Sequence, residues 1–223
     1  RDQRMYVARG NARAAQGGAE ILADELTAYY RDGDDDKGQA DNDKKDGQTI
    51  FRVDADGNVR VRSQNSQAFG DQAVYHVEQA VFVLVGKALR METGQIKITA
   101  RDSLEYWEDR QLAVARGGAI VTSGDRRLKA DILTAHIDNQ AQRDIKRIDA
   151  FGNVVISTRN VIARGAEGVY NPGTSIATLC GDVKITRGAN QLNGECAEVN
   201  LKSGKSRLIG GRSRVKSLLS PKK

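Results

Sequence analysis

Apolar and polar residues alternate along most of this chain, and the alternation recurs at a nearly fixed interval. Six stretches open on a glycine, run through alternating residues, and close eighteen to twenty positions later on an aromatic residue or its substitute. The two clearest are Gly57-Asn58-Val59-Arg60-Val61 leading to Gly70 and Tyr75, and Gly152-Asn153-Val154-Val155-Ile156 leading to Gly165 and Tyr170. Others open at Gly10 (closing on Tyr29), Gly86 (Tyr106), Gly117 (His136) and Gly181 (near Asn200). Successive openings lie 47, 29, 31, 35 and 29 residues apart, the long first step holding an insertion. A period-2 pattern predicts half-buried strands, and repetition at this interval predicts an array whose units bury their apolar faces against neighbours.

Alternation also assigns faces. It places Val59, Val61, Val83, Val85, Ile98, Val121, Val154, Ile156, Val183 and Ile185 on one inward face, with Arg60, Arg62 and Lys184 outward. The register near Ala88, Leu89 and Met91 is ambiguous, which points to a bulge. Three stretches also carry helical spacing: Leu22, Leu26 and Tyr29; Leu104, Trp107 and Leu112; Leu128, Ile132 and Ala135. Each aligns with a β-rich copy of the unit, so all are read as strands. The expectation is a single all-β solenoid over residues 1–209, followed by a basic tail over 210–223.

Residues 31–48 read as a flexible acidic insert. Seven Asp against Arg31, Lys37, Lys44 and Lys45 give a local charge of −3, which leaves +9 of the chain's net +6 on the remainder (6 + 3). So polar a segment cannot bury enough apolar area to offset its ordering entropy. Asp32, Asp34 and Asp36 imitate a calcium loop, but its glycine is displaced to Gly38 and Asp43 stands where the closing Glu is needed. Asp56-Gly57-Asn58 reads as a tight hairpin turn, because such turns need positive φ.

Charged residues make up 29% of the chain and aromatics 5%. The basic residues scatter along strands without an aromatic RNA-binding run or a helix-turn-helix pattern, which argues against nucleic acid. No catalytic constellation stands out, and no cofactor or metal is called for. Of the two histidines, His136 fills an aromatic closing slot as a packing substitute and His76 lies on an exposed strand face; neither has a metal-ligating neighbour. Cys180 and Cys196 flank a turn near Gly188, so a hairpin there sets them almost opposite each other. Both a disulfide and two free thiols fit that placement.

The stretches Gly57-Asn58-Val59, Ala68-Phe69-Gly70-Asp71-Gln72-Ala73-Val74-Tyr75, Val83-Leu84-Val85-Gly86-Lys87-Ala88 and Ile96-Lys97-Ile98-Thr99-Ala100-Arg101, with the return at Gly152-Asn153-Val154, carry a resemblance over about residues 5–205. They resemble the OstA-like family of periplasmic lipopolysaccharide-transport proteins. The resemblance implies an open antiparallel β-jelly-roll solenoid that takes lipid A acyl chains into its apolar interior, which would make the inward residues above lipid-binding. It also implies head-to-tail association between copies, partners of the LptC and LptD type, and no enzymatic activity. An LptC-like relative, a periplasmic LptD domain, and a structural or polysaccharide-binding solenoid remain alternatives. The candidate edges for association are Met5–Ala8 at the start and Glu198–Leu201 or Ser206–Ile209 at the end.

Overall fold

The computed structural model describes residues 4–32, 48–138, 145–209 and 216–218. Regular structure among them is entirely β. The strands are β1 (Met5–Gln16), β2 (Ala19–Asp32), β3 (Gln48–Arg62), β4 (Ser66–His76), β5 (Val81–Val85), β6 (Arg90–Thr93), β7 (Ile96–Thr99), β8 (Ser103–Trp107), β9 (Leu112–Ser123), β10 (Arg126–Ile137), β11 (Ile145–Ser157), β12 (Ile162–Asn171), β13 (Ile176–Arg187), β14 (Asn190–Asn200), β15 (Ser206–Ile209) and β16 (Lys216–Leu218). They join in one antiparallel sheet, largely in chain order. At its middle, β5 with β6 and β8 with β7 each do the work of one long strand: β4 pairs with both β5 and β6, and β9 with both β8 and β7. The helical spacings are overridden, as the repeat requires.

Each long odd-numbered strand is bent at one of the repeat glycines. Gly57 and Asn58 have φ of +78° and +48°, and Gly152 and Asn153 have +74° and +48°. These pairs lie inside β3 and β11, where the pairing register skips from Asp56 to Val59 and from Phe151 to Val154. They are therefore β-bulges and not the hairpin turn read from sequence. The same positive φ that closes a tight turn also bends a strand when an extra residue enters the ladder. Turns fall elsewhere, at Gly17-Gly18, Gly124-Asp125 and Gly188-Ala189 among others.

Stacked from strand to strand, the bulges make a fold line that divides the sheet into two walls. One wall holds β5 and β8, the other β6 and β7. Apolar residues from both sides of the line enter a single core, among them Ala55 and Val59 of β3, Ala150 and Val154 of β11, and Leu179 and Val183 of β13. An aspartate of the preceding rung packs against most of these glycines. A Cβ on Gly57 would collide with Asp24, on Gly86 with Asp71, on Gly117 with Asp102, and on Gly152 with Asp131.

Two boundaries differ from the sequence reading. Arg31, Asp32 and Gln48 belong to β2 and β3, because they extend the ladder as Arg31↔Thr49 and Asp32↔Gln48; the insert's Asp34, Asp36, Gly38 and Asp43 lie outside the described residues. Residues 216–218, read as tail, pair with Gln191–Asn193 of β14. The ambiguous stretch near Leu89 is where β5 gives way to β6, and Leu89 itself is buried.

Candidate functional site

The inner faces of the two walls are apolar ladders that run the length of the solenoid. On the wall of β6 and β7, Ile21, Val61, Ala68, Met91, Ile98 and Val121 stand opposite one another in turn. Leu128, Ile156, Ala163, Ile185 and Leu192 continue the row to β14. On the facing wall, Ala28, Val53, Tyr75, Phe82 and Tyr106 begin a second row that passes through Ala113, Ala135, Ile148 and Tyr170 to Ala177 and Val199. No charged side chain interrupts either run.

Of the inward residues named from sequence, Val59, Val154, Ile156, Val183 and Ile185 are buried in this core, and Val61, Ile98 and Val121 pack against it. Val83 and Val85 are not among them. On β5 the inward positions are Phe82 and Leu84, with Leu84 fully buried opposite Ala73. Every residue of Val81–Val85 is apolar, so no polar position marks the outer face, and a one-residue slip inverts the whole assignment. Leu84 and the alternating Ala and Leu positions beside the fold line carried no signal that distinguished them from their neighbours.

The walls meet beside the fold line. Val154 and Leu179 have no exposed surface, and Leu84 reaches over Gly70 so closely that a Cβ there would meet its methyl carbon at 2.8 Å. Burying each of these aliphatic side chains contributes about 1.5–3 kcal/mol. At the hairpin rim the interior becomes polar: Ser66, Thr93, Ser123 and Arg126 share one row with Ile96. Near the C-terminal end the opposing rims meet, where Arg187 of the β13–β14 hairpin donates a hydrogen bond to the Gly204 carbonyl oxygen at 2.9 Å.

The outer face beside Tyr75 and Tyr106 carries arginine–carboxylate pairs at every third rung: Arg52–Asp54, Arg116–Glu105, Arg147–Asp149 and Arg207–Glu198. Burial pushes the Glu105 carboxyl up, but hydrogen bonds from Arg116, Ser103 and Trp107 outweigh it and hold the group below the usual carboxylate range. His136 belongs to this face. Its Nε2 lies 2.7 Å from Asp149, on which Arg147 also converges, so it is a hydrogen-bond partner of that carboxylate and not the packing substitute expected. The register skips between His136 and Ile137, and the inward slot of that rung goes to Ala135. Tyr29 is displaced in the same way in favour of Ala28. His76 is half-buried. Cys180 and Cys196 stand directly opposite on β13 and β14, with Cα atoms 4.1 Å apart and the sulfurs joined. No group of His, Cys, Asp and Glu among the described residues is arranged to hold a metal ion.

The sequence pattern of a family described as "LptA/(LptD N-terminal domain) LPS transport protein" matches the chain twice in tandem, over residues 1–111 and 97–205. Among solved structures, the chain is similar to LptH of Pseudomonas aeruginosa, described as the LptA-homologous periplasmic component of the conserved lipopolysaccharide transport device. That match has 19% identity and a TM-score of 0.50, and it covers 56% of this chain and 95% of the other. Two family units thus follow one another here in one uninterrupted sheet. No curated protein matches the chain in sequence.

Proposed function

Because the chain belongs to the LptA and LptD N-terminal domain family of lipopolysaccharide-transport proteins, we propose that it is a non-enzymatic periplasmic carrier for the lipid part of lipopolysaccharide. The observation that carries this reading is the pair of unbroken apolar ladders on facing walls. Each acyl methylene withdrawn from water contributes about 0.8 kcal/mol, so several chains lying along such ladders bind usefully without any chemistry. Since the walls are in contact, lipid enters by separating them from the rim and replacing wall–wall contacts with wall–acyl contacts. The polar rim row then faces the headgroup, with Arg126 a charge-assisted donor to a lipid A phosphate. The Cys180–Cys196 pair suits an oxidising compartment.

Bridging between membranes follows from the open ends. The edge of β1 at Met5–Ala8 and the far edge at Ser206–Ile209, each without a further strand among the described residues, are templates for adding one, from another copy or from LptC- and LptD-type partners. Edge-to-edge contact of this kind is heterologous and gives a concentration-dependent ladder of oligomers. The full burial of Val154 and Leu179 favours a second reading, a structural solenoid whose interior is permanently packed.

Photo-crosslinking separates the two. A photoreactive residue at Val59, Ile156 or Ile185 is expected to label lipopolysaccharide, whereas one at the outward Val83 is not. No labelling at any inward position would leave only the packed solenoid.

A further inference from the structure

The outer face of the wall opposite the arginine–carboxylate pairs is charged in a different way. One row across β9 to β14 reads Ile120, Lys129, Val155, Arg164, Lys184 and Asn193. The next row towards the rim reads Thr122, Arg127, Ser157, Ile162, Thr186 and Gln191. Neither contains a carboxylate. Lys129, Arg164, Lys184 and Arg127 are exposed, and none forms an ion pair among the described residues.

Arg164 and Lys184 face each other directly across β12 and β13. Like charges in that relation destabilise a sheet, and a carboxylate at either position would convert the cost into a gain. On the other outer face such carboxylates are supplied, in Asp54, Glu105 and Asp149. The exception is local, and it lies on a smooth sheet surface. Strands sit about 4.8 Å apart, so the row from Lys129 to Lys184 spans roughly 14 Å.

We propose that this face, centred on Lys129, Arg164 and Lys184, docks onto an anionic phospholipid surface. The apolar positions decide for a bilayer over another polyanion. Val155 lies between Lys129 and Arg164 in the row, and Ile162, 38% exposed, stands two residues from Arg164 along β12, towards the rim. Cationic heads reaching lipid phosphates from stems laid along apolar surface match the layered polarity of a headgroup region. The two rows offer no aromatic residue on which a nucleic-acid base would stack. The proposal goes beyond the carrier reading: the acyl chains of the cargo occupy the inner face of this wall, and the bilayer meets its outer face.

The test is co-sedimentation of the whole chain with vesicles of equal parts phosphatidylglycerol and phosphatidylcholine. Binding is expected to fall steeply with added salt and to be absent from pure phosphatidylcholine. The triple variant Lys129→Gln, Arg164→Gln, Lys184→Gln should lose roughly a hundredfold in affinity, at the usual contribution of one cation near an anionic surface. Lys184→Glu places a carboxylate opposite Arg164, so it should unfold at a higher denaturant concentration while binding vesicles less; this separates loss of docking from loss of fold. Unchanged vesicle binding by the triple variant overturns the proposal. So does equal binding to neutral vesicles, release by millimolar inorganic phosphate alone, or tighter binding to duplex DNA than to vesicles. No lipopolysaccharide enters the assay, so its failure leaves the carrier reading standing, and failed interior crosslinking leaves this one.

Discussion

The carboxylate of Asp131 on β10 accepts a hydrogen bond from the Asn153 side chain on β11 at 2.8 Å. Asp24 and Asn58 repeat the contact at 2.8 Å in the first half of the chain. In each case the asparagine is the second residue of the bulge, and the aspartate fills the space left by the glycine before it. Asp71 makes a variant of the joint, accepting the Lys87 backbone N–H at 2.8 Å beside Gly86. Positive φ, a missing Cβ and a side-chain bridge thus hold the line along which the sheet folds, and that line sets the two apolar walls against each other.

Gly152→Ala should therefore be costly for two reasons. Its φ of +74° is strained for any residue with a Cβ, and that Cβ would be driven into Asp131. Together these should cost about 1–3 kcal/mol in denaturant unfolding. Gly118→Ala is the control. It has φ +66° but open space around the added carbon, so it should cost only the conformational part, about 1 kcal/mol. Equal losses for the two variants would show that Asp131 does not matter to the joint.

How much of this was legible depended on which residues carry contrast. After their bulges β3 and β13 alternate apolar with charged residues, and there the sides assigned to Val59, Val183 and Ile185 are the buried ones; on β11 the repeat, not local contrast, aligned Val154 and Ile156 with them, since Val155 between them is apolar too. On β5 the same reasoning inverted Val83 and Leu84, because five apolar residues in succession hold no record of which side faces water. Gly57-Asn58 was correctly seen to need positive φ, but φ alone does not distinguish a bend within a strand from a reversal between two. The distinction lay in Asp24, thirty-four residues away, whose partnership only the folded sheet brings about. The outer rows Lys129–Arg164–Lys184 were unreadable because strand-to-strand register depends on where each bulge falls.

Glu105 should make stability depend on acid pH. Its folded-state affinity for protons is lowered below the ordinary carboxylate value by the hydrogen bonds from Arg116, Ser103 and Trp107. Above that ordinary value the group is ionised in both states and its contribution is complete. As the pH falls below it, the unfolded chain binds the proton first, and stability is lost until the folded-state value is passed. Glu105→Gln should flatten this part of the stability–pH curve. Wild-type and variant curves that stay parallel between pH 6 and 3 would rule the effect out.

The Cys180–Cys196 bridge closes a loop with a sequence separation of 16, for which chain entropy predicts about 3 kcal/mol of stabilisation. Protein purified under oxidising conditions is expected to resist alkylation by iodoacetamide until reduced, then to gain the mass of two carbamidomethyl groups. Cys180→Ser with Cys196→Ser should unfold at lower denaturant with the fold retained. Alkylation of both thiols before reduction would refute the bridge.

Arg187 is the place to alter access to the interior without touching its lining. Its guanidinium spans from one rim to the other to reach the Gly204 carbonyl oxygen, so it holds the walls together near the C-terminal end. The contact is exposed, and its removal should cost only about 0.5–1.5 kcal/mol. If lipid enters by parting the rims, Arg187→Ala should speed uptake of an apolar fluorophore several-fold while leaving its equilibrium affinity nearly unchanged, because none of the buried ladder residues is altered. Ile156→Asp should do the reverse, abolishing affinity by placing a charge in the middle of a ladder. Stopped-flow uptake and equilibrium titration of the two variants decide the matter. If Arg187→Ala takes up the probe no faster than wild type, the lipid does not enter past this clasp.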